Sequence, residues 1–179
     1  MIKIQQAKQE LLSSADINRL YEILIHAYAE TEQSVWGENY VRIPKDEFIT
    51  LISRGEVFYA QLNGLIVGSV YVYRKDESTF SFGLLSADFS MKGKGIGKAL
   101  VDYAEEYAIK QGAKYMDLEI LRPTSEEVPF KEVLKQWYTK LGYVYTLSGT
   151  FEELKPKKAF KAKGLIQPCT FDCYQKVLA

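Results

Sequence analysis

The stretch MKGKGIGKAL, residues 91–100, sets glycine at 93, 95 and 97 and lysine at 92, 94 and 98, then runs into KALVDYAEEYAIKQG, which has helical character throughout. Alternating glycines at a strand-to-helix junction let the backbone approach a bulky anion with no Cβ in the way. The amide N–H groups of such a loop and of the first helical turn have no intrahelical partner, and the helix dipole adds positive potential. Lys92, Lys94 and Lys98 would supplement that charge. The expected guest is a phosphate or diphosphate; a loop that merely turns the chain into a helix is the plainer alternative. Two phosphate motifs fail on spacing. A Walker loop needs four residues between its glycines and Ser or Thr after the lysine. Here Gly93 and Gly97 enclose three, and Ala99 follows Lys98. A G-x-G-x-x-G fingerprint would need glycine at 98 or 100, where Lys98 and Leu100 stand.

Composition bounds the classes. The chain has 179 residues, 47% of them hydrophobic, enough for one domain with a real core over 1–179. Lys+Arg 23 balance Asp+Glu 23, which argues against nucleic acid as a partner. No apolar run reaches spanning length and MIKIQQAKQELLSS is no signal peptide, so no membrane is expected and the location is cytoplasmic. On one strand, Cys169 and Cys173 would lie about 13 Å apart at ~3.3 Å per residue. A disulfide tolerates roughly 7 Å between α-carbons. With one histidine, His26, a metal site is not expected.

Outward from the glycines, the elements alternate. MIKIQQ reads as a strand. SSADINRLYEILIHAYAE reads as a helix, with Ser13 and Asp16 in capping-box spacing and Ile17, Leu20, Leu24 and Ala27 at helical intervals. PKDEFITLISRG is a shorter helix. EVFYAQL and LIVGSVYVYR form a hairpin across Asn63-Gly64, and TFSFGLLS follows as a third strand of the meander. After the glycine-led helix, KYMDLEIL alternates with Met116, Leu118 and Ile120 on one face, which makes a right-handed parallel crossover. VPFKEVLKQWYTKLG is a helix whose buried side is read as Phe130, Leu134, Trp137 and Leu141. YVYTL and CTFDCYQKVL are the last strands, separated by a lysine-rich excursion over 149–168 with no assigned role. The sum is a single-domain α/β fold with a mixed sheet and helices on both faces.

This context resembles the GNAT superfamily of N-acetyltransferases. Its Q/R-x-x-G-x-G/A signature reads Lys92-Gly93-Lys94-Gly95-Ile96-Gly97 here, with lysine in first place, and its second motif matches WYTKLGY at 137–143. The lead-in FGLLSADFSMKGKGIGKALVDYAEEYA and the element order also match, over nearly the whole chain.

The resemblance implies a mostly antiparallel sheet whose fourth and fifth strands splay apart to admit acetyl-CoA as co-substrate, with no metal. It implies that the diphosphate meets the loop from Lys92 and Gly93 through Lys98. It also implies that the pantetheine arm runs beside Leu85, Ser86 and Ala87, and that an amide near Ala87 polarises the thioester carbonyl. Tyr138 matches the family's proton donor to the leaving thiolate. Its helical spacing beside Leu134 and Leu141 equally suits packing. The base is open: the family's strand glutamate falls near Ser81, while Glu119, Asp88 or a water chain could serve. The family's asparagine is replaced by Thr124 or Ser125. Tyr28, Trp36, Tyr40 and Arg42 are candidates for shaping the acceptor pocket, with Glu119; the loop aromatics equally suit a local hydrophobic clamp, and Glu119 a solvated or ion-paired strand carboxylate. The implied activity is acetyl transfer to a primary amine of a small molecule or peptide. A non-catalytic acyl-CoA-binding module is the alternative, and homodimerisation stays open.

Overall fold

Asn63 and Gly64 take φ of 53° and 80°. That is the backbone a two-residue hairpin turn needs, and it joins β2 (Val57–Leu62) to β3 (Leu65–Arg74). In this computed structural model, which describes residues 1–178, the hairpin sits inside a seven-stranded sheet. β1 (Ile2–Gln6), β4 (Thr79–Ala87), β5 (Tyr115–Pro123), β6 (Val144–Gly149) and β7 (Cys169–Val177) complete the order β1-β2-β3-β4-β5-β7-β6. Every pairing is antiparallel except β4 with β5.

Four consecutive residues of β2, Val57 to Ala60, are buried because helices cover both faces of the sheet. Phe58 and Ala60 face one core cluster, packed by α4 (Ile96–Lys110) and α5 (Pro129–Lys140). Val57 and Tyr59 face the other, under α1 (Ser14–Thr31) and α3 (Lys45–Ser53). The expected capping box forms at α1: the Asp16 N–H donates to the Ser13 hydroxyl, and the Asp16 carboxylate accepts from the Ser13 N–H. Ile17, Leu20, Leu24 and Ala27 are all buried, while His26 is exposed, edge-on to Phe89 at 5.4 Å.

Three expectations change. The segment after α1 holds a short helix, α2 (Gln33–Trp36). The lysine-rich excursion folds as α6 (Phe151–Leu154), capped by Thr150 and Glu153, and a 3-10 stretch over Pro156–Gly164. These pieces close a third apolar cluster of Val35, Trp36, Leu121, Phe151, Cys169 and Phe171 over the far ends of β5 and β7. On α5 the predicted Phe130 is 40% exposed, and Lys131 is buried at that end instead, held by an ion pair. Cys169 and Cys173 are both free.

Candidate active site

β4 and β5 pair only over Thr79–Ser81 and Tyr115–Asp117. Past Ser81 the strands separate, so the β5-side backbone edge of Leu84 to Ala87 has no ladder partner. A bulge sharpens the divergence. Ser69 opposes Ser86 and Tyr71 opposes Gly83, so β4 carries one residue more than β3 there, and Leu84 sits at φ 49°. An extra residue bends its strand and breaks the local ladder, which opens the gap. Leu85 faces the cleft, Ser86 turns inward with its Oγ 3.4 Å from that of Ser69, and Ala87 packs against the α4-side core.

β4 leads through a 3-10 turn at Phe89–Met91 into the glycine loop. Asp88 caps that turn by accepting the Ser90 N–H and also pairs with Arg19 of α1, so it has the turn-forming role. Burial tends to raise its pKa, but the Ser90 hydrogen bonds and the Arg19 guanidinium outweigh that and hold it below the ordinary 3.8. The stability gained is present above that ordinary value and disappears as pH falls through the lower folded one. Asp88→Asn should therefore lower the urea midpoint at neutral pH and converge with the parent only as pH falls through the lowered folded pKa.

Gly95 is the N-cap of α4 at φ 76°, with no side chain capping the helix. The first intrahelical bond is donated by the Ala99 N–H, so the N–H groups of Ile96, Gly97 and Lys98 point out of the helix end unclaimed. A Cβ added at Gly93 or Gly95 would meet nothing within 4 Å. Gly97 differs from Gly93 and Gly95, which both take positive φ. It lies in the helix without positive φ, and a Cβ there would touch Trp137 at 3.4 Å. Lys92 and Lys94 are exposed, and Lys98 donates to Asp102 at 2.7 Å.

On the other side of the gap lies a cleft of about 290 Å³. It brings together Tyr28, Trp36, Tyr40, Arg42, Glu119, Leu85 and Tyr138. The glycine loop, Ser86, Ala87, Thr124 and Ser125 are not among its lining. Trp36 stacks on Tyr40 at 4.6 Å, and the Arg42 guanidinium lies over the Tyr28 ring at 5.5 Å. Burial above all, with Glu32 nearby, pushes Tyr28 up to about 12 against the pull of Arg42. Glu119 Oε1 accepts from Lys155 at 3.1 Å, so it is both ion-paired and part of the wall. Ser81, near the family's base position, is buried and donates to the Asp117 carbonyl. Tyr138 is 6% exposed, with its ring among Phe82, Trp137 and Tyr143. Burial, then Tyr28, drives its hydroxyl well above the usual tyrosine range. It is a packed residue and a cleft residue at once. Among the described residues no cluster of three or more His, Cys, Asp or Glu could hold a metal, and no helix is long and apolar enough to cross a membrane.

Residues 53–145, just over half of the chain, match the sequence profile of the acetyltransferase (GNAT) domain. The chain belongs to the GNAT acetyltransferase family. Solved structures similar to this GNAT chain include an N-acetyltransferase from Staphylococcus aureus Mu50, with TM-score 0.70 and 19% identity over 100% of this chain and 99% of that one. Another is an aminoglycoside 6'-N-acetyltransferase complexed with coenzyme A, with TM-score 0.71 and 16% identity over 99% and 97%. The N-acetylglutamate synthase from Neisseria gonorrhoeae, complexed with coenzyme A and N-acetyl-glutamate, aligns with TM-score 0.67 and 15% identity over 100% of this chain, which spans only 35% of the synthase. At these identities the likeness is one of fold. No curated protein sequence matches the chain significantly.

Several residues of this GNAT site went unread in the sequence. Lys131 and Glu32 form a buried ion pair at the cleft, across 99 positions of chain. Phe151, Lys155, Lys158 and Lys161 line it from the excursion. Thr150-x-x-Glu153 is a capping-box pattern and was the available signal for that segment.

Proposed function

We propose that this chain transfers an acetyl group from acetyl-CoA to a primary amine of a small molecule or peptide. The observation that carries the reading is the widening gap between β4 and β5. It has unclaimed helix N–H groups at one end and a buried tyrosine in the cleft beyond. The residues fit the nucleotide: open space over Gly93 and Gly95 leaves room for a diphosphate against the N–H groups of Ile96 to Lys98, with Lys92 and Lys94 adding charge. The free edge of Leu85 to Ala87 can pair with an extended amide-bearing arm. When bound, the thioester supplies an electrophilic acyl carbon and a thiolate leaving group.

The chain's own part is placement and proton handling. Holding amine and thioester on one scaffold converts a bimolecular encounter into an effectively unimolecular one. As the N–C bond forms and the C–S bond breaks, the nitrogen loses a proton and the sulfur gains one. Tyr138, kept neutral by burial, donates its O–H toward the sulfur, and an N–H near Ala87 steadies the carbonyl oxygen. We place the reaction in the cytoplasm.

Titration calorimetry with coenzyme A tests the first half of this reading, and thiol release from acetyl-CoA over an amine panel tests the second. Gly95→Val should remove coenzyme A binding from a folded protein. A β-branched residue resists φ of 76° at roughly 1–2 kcal/mol, and its methyls would fill the space above the loop. Retained affinity in that variant would place the nucleotide elsewhere.

A further inference from the structure

The acceptor half of the reaction can be read from the charges of the cleft. Five cationic side chains and three carboxylates line it, an excess of two positive charges in a chain that balances 23 against 23 overall. The excess is also unpaired. Lys131 is taken by Glu32, and Lys155 by Glu119. Arg42, Lys158 and Lys161 remain, with Glu47 alone opposite them.

Two further observations point the same way. The Lys161 ammonium is held below its ordinary range by burial, then by Lys158 and Arg42, with Glu47 only partly offsetting them. Like charges crowded in a half-buried wall repel one another until an anion enters between them. Independently, Trp36 is 9% exposed, and its indole N–H is buried without an acceptor. An unmet buried donor costs about 1–3 kcal/mol, and Trp36 is a residue of the cleft wall.

We propose that the acceptor is an amine that also carries an anionic group, a carboxylate or a phosphate, seated by Arg42, Lys158 and Lys161. This rests on the acetyl-transfer reading and narrows it. Cationic neighbours also disfavour an ammonium, so they help deliver the amine in its neutral, nucleophilic form at a site where Glu119 is committed to Lys155. A polycationic acceptor would meet the same excess as repulsion.

The test uses matched primary amines with acetyl-CoA, read by thiol release: amino acids against their C-terminal amides, phosphoethanolamine against ethanolamine, and a polyamine. The anionic member of at least one pair should show kcat/KM roughly tenfold higher or more. The double variant Lys158→Ala/Lys161→Ala should bring that ratio to within about twofold, with coenzyme A affinity unchanged by calorimetry. Preference for neutral or polycationic amines overturns the proposal, as does an anion preference that survives in the double variant. A second arm needs no turnover. Tryptophan fluorescence, with Trp36 in the cleft, is titrated with succinate and with inorganic phosphate at constant ionic strength. A saturable change that the double variant loses supports the proposal, and none in the folded parent overturns it. The two anions separate a carboxylate seat from a phosphate seat. Failure of coenzyme A to bind the parent sinks the acetyl-transfer reading itself, whereas binding with only uncharged amines consumed sinks this inference alone.

Discussion

Tyr138→Phe is expected to slow turnover by roughly ten- to a thousand-fold while leaving the affinity for coenzyme A unchanged. The substitution removes one oxygen and keeps the ring, and the ring is what Phe82, Trp137 and Tyr143 hold. Stability should therefore move little. What disappears is the only proton the side chain can give. Burial keeps that proton on the phenol across the working pH range, so the alkaline limb of the pH–rate profile should not report Tyr138. It also makes the phenol a weak acid, so in the proposed reaction Tyr138 would act mainly by hydrogen-bonding the sulfur as charge builds there, when a neutral donor in a dry site is worth most. The measurement is kcat at saturating acetyl-CoA beside a calorimetric titration. Turnover equal to the parent's, with an acceptor in hand, would mean that the proton comes from elsewhere. A chain that binds coenzyme A but releases no thiol from acetyl-CoA with any amine of the panel would instead be the non-catalytic module.

Local chemistry made much of the frame legible. The Asn63-Gly64 turn, the Ser13–Asp16 capping box and the alternation of Met116, Leu118 and Ile120 each rest on interactions within a few residues. The strand–glycine–helix junction fixed the crossover for the same reason. The pocket candidates Tyr28, Trp36, Tyr40, Arg42 and Glu119 came from position in a resemblance, and the cleft gathers all five. What stayed hidden depends on tertiary geometry. A leucine at φ 49° in the middle of β4 breaks no sequence rule that reads one strand at a time, yet the bulge it makes opens the gap. The lysines at 155, 158 and 161 look like a solvated face, and the apolar anchors Phe151, Leu154, Ala162 and Leu165 show that the segment is tied over the cleft.

The buried pair of Glu32 and Lys131 is the clearest case of that limit, and it carries the second large effect. Glu32 caps the C-terminal end of α1, and Lys131 lies in the first turn of α5. The dipoles of α1 and α5 favour the opposite sign at these two places, with only the single turn of α2 favouring Glu32, so the pair stands mainly on mutual contact, with side chains only 6% and 8% exposed. Lys131→Met keeps the length and removes the charge, stranding the carboxylate. The expected loss is about 3–5 kcal/mol, a large share of the 5–15 kcal/mol that holds a typical domain together. Glu32→Leu alone should cost a similar amount. The double variant should recover most of it, because two apolar side chains in contact need no compensation. Urea unfolding of the four proteins gives the coupling directly. Additive losses would show that the two charges do not depend on each other. The pair also ties the helix bearing Tyr28 to the helix bearing Tyr138. If the double variant regains stability while kcat stays low, the ions serve to hold those two tyrosines in register across the cleft, a function that an apolar contact, lacking direction, does not supply.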